Sequence, residues 1–150
     1  MNRYIPALTV MGGLAIGLLA SVALLVVGIA LSPTLIVGPL FVLVLVTSCF
    51  VFSFLGVLVG LLARSHQDMG TFSTLVILPM TFLSGTFFSL SQLPEAVKAV
   101  LYALPLTHSS ESLRAAALGQ PFPWLSFVAL VGFGLVFFLG CLLALKRTNV

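Results

Sequence analysis

Between Arg3 and Arg64 the chain runs from Tyr4 to Ala63 without a single Asp, Glu, Lys, Arg or His. A soluble core helix is far shorter than this, and a polypeptide exposed to water on any face would need charge somewhere in it. The run therefore excludes a water-soluble fold. The rest of the composition agrees: 61% of the 150 residues are hydrophobic and 6% charged, against roughly a quarter charged in a soluble domain. The expected fold is an all-α integral membrane protein, a single transmembrane domain covering residues 1–150.

A helix needs about 20 apolar residues at 1.5 Å each to cross about 30 Å of hydrocarbon, so this uncharged run must fold back at least once. The segment "LSPTLIVGP" supplies the break. Ser32-Pro33 and Gly38-Pro39 remove amide donors and disfavour helix at the preceding residue, predicting a turn between a first span near 7–31 and a second near 38–63. After "ARSHQDMG", a third apolar run covers 70–90. A fourth covers 124–145, with Trp124 suited to an interface and Lys146-Arg147 just past its end. The first run is about twice the usual length of a signal-peptide core, which argues against one.

Four crossings place both termini on one side. Arg3, Arg64, Lys146 and Arg147 share that face, while Lys98 and Arg114 lie opposite, so the excess of basic residues predicts cytoplasmic termini in a cell membrane. The net charge of +3 is spread without a cluster, and no nucleic-acid surface is expected. Gly13-x-x-x-Gly17 and Gly56-x-x-x-Gly60 put small residues one turn apart, a pattern that lets helices approach closely; packing within the chain is the simpler reading, ahead of a dimer contact or a substrate path. Phe50, Phe52 and Phe54 read as lipid-facing or packed. Cys49 and Cys141 sit within apolar runs as small hydrophobes.

Residues 91–123 are too polar to span and too apolar for an ordinary loop. They read as two short re-entrant or interfacial helices between the third and fourth spans. In "LPEAVKAVLYALP", Pro94 suits a first helical position, Glu95 complements the helix dipole, and Pro105 is expected to stop the run after about three turns. In "LTHSSESLRAAALGQP", Ser109 or Ser110 is expected to cap a second helix, Glu111 and Arg114 share a face, and Gly119 with Pro121 ends it. Upstream, Pro79 and Ser84-Gly85 weaken the third span, as expected where a chain dips into one leaflet against protein.

The ordered set Pro79, Phe82-Leu83-Ser84-Gly85, Leu93-Pro94, Pro105 to His108 and Arg114 resembles the end of the ABC transporter permeases of the type-2 exporter family. "GVLVGLLARSHQDMG" looks like that family's fourth span and its cytosolic turn. The resemblance implies six spans, of which this chain matches the last four, either as a fragment or with a separate half. It further implies a dimer with a second permease copy, a separate cytosolic ATPase that binds the ATP, and an outer gate built from the motif residues. The alternative reading is a small four-span structural or channel-like membrane protein with no ATPase partner.

A nucleotide-binding subunit would need G-x-x-x-x-G-K-[ST]. Neither Lys98 nor Lys146 follows such a turn, so no cofactor is expected in this chain. Ser84 with His108 superficially suggests a membrane serine protease, but no oxyanion-hole pattern accompanies Ser84. His108 with Glu111 falls short of the three or four ligands of a metal site. His66 and Asp68 are expected in water, with an ATPase contact the weaker reading. Arg114 is read either as a surface partner of Glu111 or as a residue fixing the outer mouth. The spans carry no charge that would select a substrate.

Overall fold

The structure is a computed structural model and describes residues 4–31, 34–83 and 92–148, which are helical apart from short connections. In chain order the helices are α1 (Tyr4–Leu31), α2 (Pro39–Leu62), α3 (His66–Phe72), a π-helical turn (Ser73–Ile77), α4 (Leu78–Leu83), α5 (Glu95–Tyr102), α6 (Pro105–Leu118) and α7 (Trp124–Thr148). Among the described residues three segments are long and apolar enough to cross a bilayer: Met11–Leu31, Pro39–Leu62 and Trp124–Lys146. The expected third span, 70–90, is helical from His66 to Leu83. Ser84 and Gly85 lie outside the described residues, as do Arg3 and the Ser32-Pro33 break.

Helix α2 is the hub. Its start follows the sequence signal: Gly38 is extended at φ −94° and ψ 172°, and Pro39 occupies the first turn, where its missing N–H costs nothing. Helix α1 packs antiparallel to α2 through small residues. A Cβ at Gly13 would stand 3.3 Å from Ser53 Oγ, and one at Gly17 would stand 3.7 Å from Cys49 Sγ. Helix α7 packs on α2 running in the same direction, because the contact advances together along both helices. A Cβ at Gly134 would lie 2.9 Å from Val51 Cγ2, and one at Gly140 would lie 3.1 Å from Leu58 Cδ2. The Cys141 thiol donates to the Phe54 carbonyl at 3.4 Å. Because α2 and α7 are parallel, the chain between them returns to the end at which α2 began.

Part of that return is the helical rod from His66 to Leu83. It opens on a capping box. The Asp68 amide donates to Ser65 Oγ at 3.2 Å, and Asp68 Oδ2 accepts from the Ser65 amide at 3.1 Å, satisfying two donors that a helix start leaves open. Five residues on, the rod widens into the π turn, closed by the Leu78 amide on the Ser73 carbonyl. Pro79 supplies the reason. It has no N–H for the Leu75 carbonyl, and a helix relieves the gap by locally adding a residue to the turn.

Burial is concentrated where α2, α5, α6 and α7 meet: Val44, Leu101 and Leu130 are almost fully enclosed. Helix α1 is the opposite case. Leu19 and Leu24 are each more than 70% exposed, an apolar surface that water would not tolerate and lipid would.

The α5–α6 region departs from expectation at three points. Helix α5 ends at Tyr102 after 8 residues, about 12 Å, so Pro105 does not stop it. Pro105 instead starts α6, at the first turn behind an extended Leu104 (φ −101°, ψ 132°). Proline imposes extended backbone on the residue before it and fits a helix start, so one residue does both. Ser109 and Ser110 consequently lie inside α6 rather than at its cap. Pro94 is the cap residue of α5, one place before the first helical position, accepting from the Val97 and Lys98 amides. Gly119 ends α6 as the sequence suggests, in the left-handed region at φ 64°, where a side chain would be strained.

Candidate functional site

Helix α6 is wedged between α2 and α7, and its enclosed face is polar. Thr107, His108, Ser109 and Ser112 are buried, together with Ser48 of α2 and Ser126 of α7. In a chain this apolar, buried polar groups must meet one another or the backbone. Ser48 and Ser109 meet at 2.7 Å. Ser48 already donates its one proton to the Val44 carbonyl at 2.8 Å, so Ser109 is the donor between the two hydroxyls. Farther along, the Ile36 amide donates to the Ala117 carbonyl at 2.9 Å. From Ser109 to Ala117 α6 rises about 12 Å while α2 falls about 14 Å from its start to Ser48. The two helices are therefore antiparallel, and the first turn of α6 lies beside the middle of α2.

On the α7 side Glu111 ties three elements together. It accepts the Tyr102 hydroxyl on Oε1 at 3.0 Å and the Ser126 hydroxyl on Oε2 at 2.6 Å. One carboxylate thus joins the end of α5, the middle of α6 and the start of α7, with the short distance expected of a charged acceptor. Burial, and after it the hydrogen bond and negative charge of Glu111, push the Tyr102 phenol above its ordinary value. Next to this clasp, the His108 imidazole donates from Nε2 to the Tyr102 carbonyl at 2.8 Å. Its ring centroid stands 5.7 Å from that of Tyr102 and 5.9 Å from that of Phe133.

The other side of α6 closes one wall of a cleft of 730 Å³ between α1, α2 and α6. Its surface is mostly apolar. Gly13, Gly17 and Ser21 line it from α1, Ser53 and Gly56 from α2, and Leu113 and Arg114 from α6. Clefts of this size take small organic groups, and a few polar atoms on apolar walls set their orientation. Among the described residues no three His, Cys, Asp or Glu side chains gather as metal ligands.

The motif residues read from the sequence fall into two separate groups. Pro105, His108 and Arg114 share α6: Pro105 and His108 are buried, while Arg114 is exposed on the cleft side. Pro79, Phe82 and Leu83 lie on α4, all exposed, and Leu93 and Pro94 precede α5. Gly13 and Gly17 face α2, whereas Gly56 has no neighbour within 4 Å of an added Cβ and opens on the cleft. Gly60 faces Met69 Cε, 3.4 Å from such an atom. Among the described glycines of the long helices, Gly134 and Gly140 leave the least room for a Cβ, and the spacing rule passes over them. Glu111, expected beside Arg114, has both oxygens occupied by hydroxyl donors. Tyr102, Ser48 and Ser126 carried no sequence signal at all, because each acts through a partner distant in the chain.

An exposed, apolar α1 and three span-length helices define a multi-pass membrane protein. The family of ABC-2 type transporters matches residues 4–118, and the chain belongs to that family of membrane permeases. It is 46% identical over 70 residues to Nodulation protein J of Rhizobium leguminosarum bv. viciae, covering 47% of this chain and 27% of that protein. It is 30% identical over 113 residues to the inner membrane transport permease YhhJ of Escherichia coli (73% and 30%), and 30% identical over 139 residues to the inner membrane transport permease YadH of the same organism (91% and 54%). The chain thus spans from about a quarter to about half of the length of these relatives. No solved structure matches it.

Proposed function

We propose that the chain forms part of the substrate path and the outer gate of an ATP-driven exporter, with α5 and α6 as a re-entrant pair on the outer side. The observation that carries this reading is the depth of α6. It is too short to cross a bilayer, yet it runs antiparallel along α2 and α7 from their starting end to the level of Ser48, with its polar face enclosed. A helix that enters and leaves from one side of the membrane is stable only against protein, and an ionisable residue enclosed there, as His108 is, is a candidate for function. The parallel course of α2 and α7 supports the return crossing expected near 70–90, hence four crossings and both termini on the cytoplasmic side, as the basic residues suggest.

On this reading the energy comes from a separate ATPase subunit that binds the ATP, and a second permease copy completes the path. The capping box at Ser65–Asp68 holds a short exposed turn on the cytoplasmic side, where such a subunit would dock. Closure of the ATPase would shift the spans and release α6 from the mouth. Arg114 faces the cleft at that mouth. The test is paired. The chain, in its native permease, should co-purify with a nucleotide-binding subunit, and Arg114→Gln should reduce export several-fold at unchanged expression. Expression and co-purification of the variant at the parent's level control for folding. Unchanged export with normal co-purification would remove α6 from the gate, and absence of any ATPase partner would favour the channel-like alternative.

A further inference from the structure

The cleft between α1, α2 and α6 has a length and a direction. Gly13 stands against Ser53 and Gly17 against Cys49. Continued one turn each way, that antiparallel register sets Ser21 beside Leu45 and Thr9 beside Val57, and all of these line the cleft. Helix α6 roofs one end only. Its Ser109 is bonded to Ser48 and its Ala117 carbonyl to the Ile36 amide, so Arg114 between them lies at the level of Phe41 and Leu45, and Leu106 is the last of α6 along the groove. From the level of Arg114 to Val57 is about 20 Å of α2.

The lining selects among ligands. Arg114 is the one charged side chain among the described lining residues, and no carboxylate joins it. Ser21 and Ser48 donate to the carbonyls four residues back, and Ser109 donates to Ser48, so these hydroxyls have little left to offer. A sugar would leave most of its own hydroxyls unpaired, and a cation would meet only a like charge. Toward the far end Gly56 is exposed, and a Cβ added there meets nothing within 4 Å. The groove thus opens sideways to the bilayer. Its 730 Å³, spread over that length, leaves a cross-section of about 36 Å², whereas a helix about 10–12 Å across fills about 80–110 Å². A helix would rest on the rim; an alkyl chain enters.

We propose that the cleft holds one acyl chain of a phospholipid with a net negative headgroup, drawn from the surrounding bilayer, with the headgroup on Arg114 and the chain running past Gly17 and Ser53 toward Gly56. A guanidinium meets a phosphodiester through two parallel N–H bonds, and its long stem carries the charge to the interface from a level just inside the span. With no carboxylate beside it, this single cation favours a monoanionic head over a zwitterion, whose ammonium has no counterpart there. The tail fits as well. Half of a hydrocarbon core of about 30 Å is about 15 Å, which ends a chain that starts at Arg114 near Ser53. The site needs only a bilayer around the protein and holds whether or not α6 gates a path.

The test is retention of lipid by the purified protein. The parent chain, reconstituted in vesicles of equal parts phosphatidylglycerol and phosphatidylcholine, is released into mild detergent and weighed by native mass spectrometry. Phosphatidylglycerol should be retained several-fold over phosphatidylcholine. Arg114→Gln should abolish that preference. Gly56→Leu, which fills the groove from a position where an added Cβ strikes nothing, should lower retention of both lipids several-fold. Gly132→Leu, equally unobstructed at its Cβ but on α7 outside the cleft, should not. Equal retention of the two lipids by the parent, a preference that survives Arg114→Gln, full retention in Gly56→Leu, or an equal loss in Gly132→Leu would each overturn the assignment. So would a lipid-free parent dimer, the sign that a second copy covers the groove. The parent measurement decides by itself should a variant fail to fold.

Discussion

Ser109 of α6 donates to Ser48 of α2 across 2.7 Å, and Ser48 passes its own proton to the Val44 carbonyl. The short helix is thus anchored to the backbone of the longest-packed span through a two-hydroxyl relay. Removing either hydroxyl has unequal effects. In Ser109→Ala, Ser48 keeps its bond to Val44 and no polar atom is orphaned. In Ser48→Ala, Ser109 is left to find the Pro105 carbonyl of its own turn. Interhelical hydrogen bonds in membranes average about 0.6 kcal/mol and reach about 1.7, so both variants should lose stability within that range, with Ser48→Ala the larger loss. A double-mutant cycle on unfolding in mixed micelles measures the coupling directly.

Gly134 and Gly132 should respond oppositely to alanine. A Cβ at Gly134 meets the stiff, buried Val51 at 2.9 Å, and one at Gly132 meets nothing within 4 Å. Gly134→Ala should cost about 1–3 kcal/mol through forced separation of α2 and α7. Gly132→Ala should stabilise by up to about 1 kcal/mol through helix propensity alone. Thermal unfolding of the two variants in one detergent gives the comparison.

The Tyr102–Glu111 contact should fail at high pH. Burial and Glu111 raise the phenol's pKa above its ordinary value, so the folded state favours the protonated form. The stabilisation is complete below the ordinary tyrosine value of about 10 and is lost as pH rises through the higher folded value. Glu111→Gln removes the charge but not the burial, so the midpoint should fall while staying above that of a free tyrosine. Phenolate absorbance in a Tyr4→Phe background, which leaves one of the two tyrosines, reads this midpoint.

Replacing Pro79 should rotate everything after it. The π turn inserts one residue, and each residue of an α-helix turns about 100°. In Pro79→Ala the new N–H can bond the Leu75 carbonyl, the π turn reverts, and Met80 swings out of its enclosed position, where it is 4% exposed. A Met80→Cys reporter should be slow to react with a thiol reagent in the parent and fast in Pro79→Ala.

The bounds of α2 were legible because their causes are local. Gly38-Pro39 and the charge at Arg64 bracket α2, and the helix found, Pro39–Leu62, lies within a residue of the 38–63 read from them. The end of α6 at Gly119 was legible for the same reason. The start of α6 was not, since Pro105 carries two opposite local meanings and only packing against α2 and α7 selects between them. Nor could spacing reveal which glycines matter. Gly56-x-x-x-Gly60 has the expected pattern and opens partly on a cleft, whereas Gly134 and Gly140 are six apart and face α2 because α7 lies parallel to it. Glu111 is the clearest case of hidden information. Arg114 was its obvious neighbour by helical spacing, yet the hydroxyls it accepts come from residues 9 and 15 positions away.

The bond from the Ile36 amide to the Ala117 carbonyl ties the hinge of the first helical pair to the tail of the wedge. Helix α1 extends 28 residues from that hinge, about 42 Å. That arm is also held toward its far end, where Gly13 and Gly17 lie against Ser53 and Cys49, so α1 is bound to α2 at both ends while the tail of α6 is tied to the junction between them.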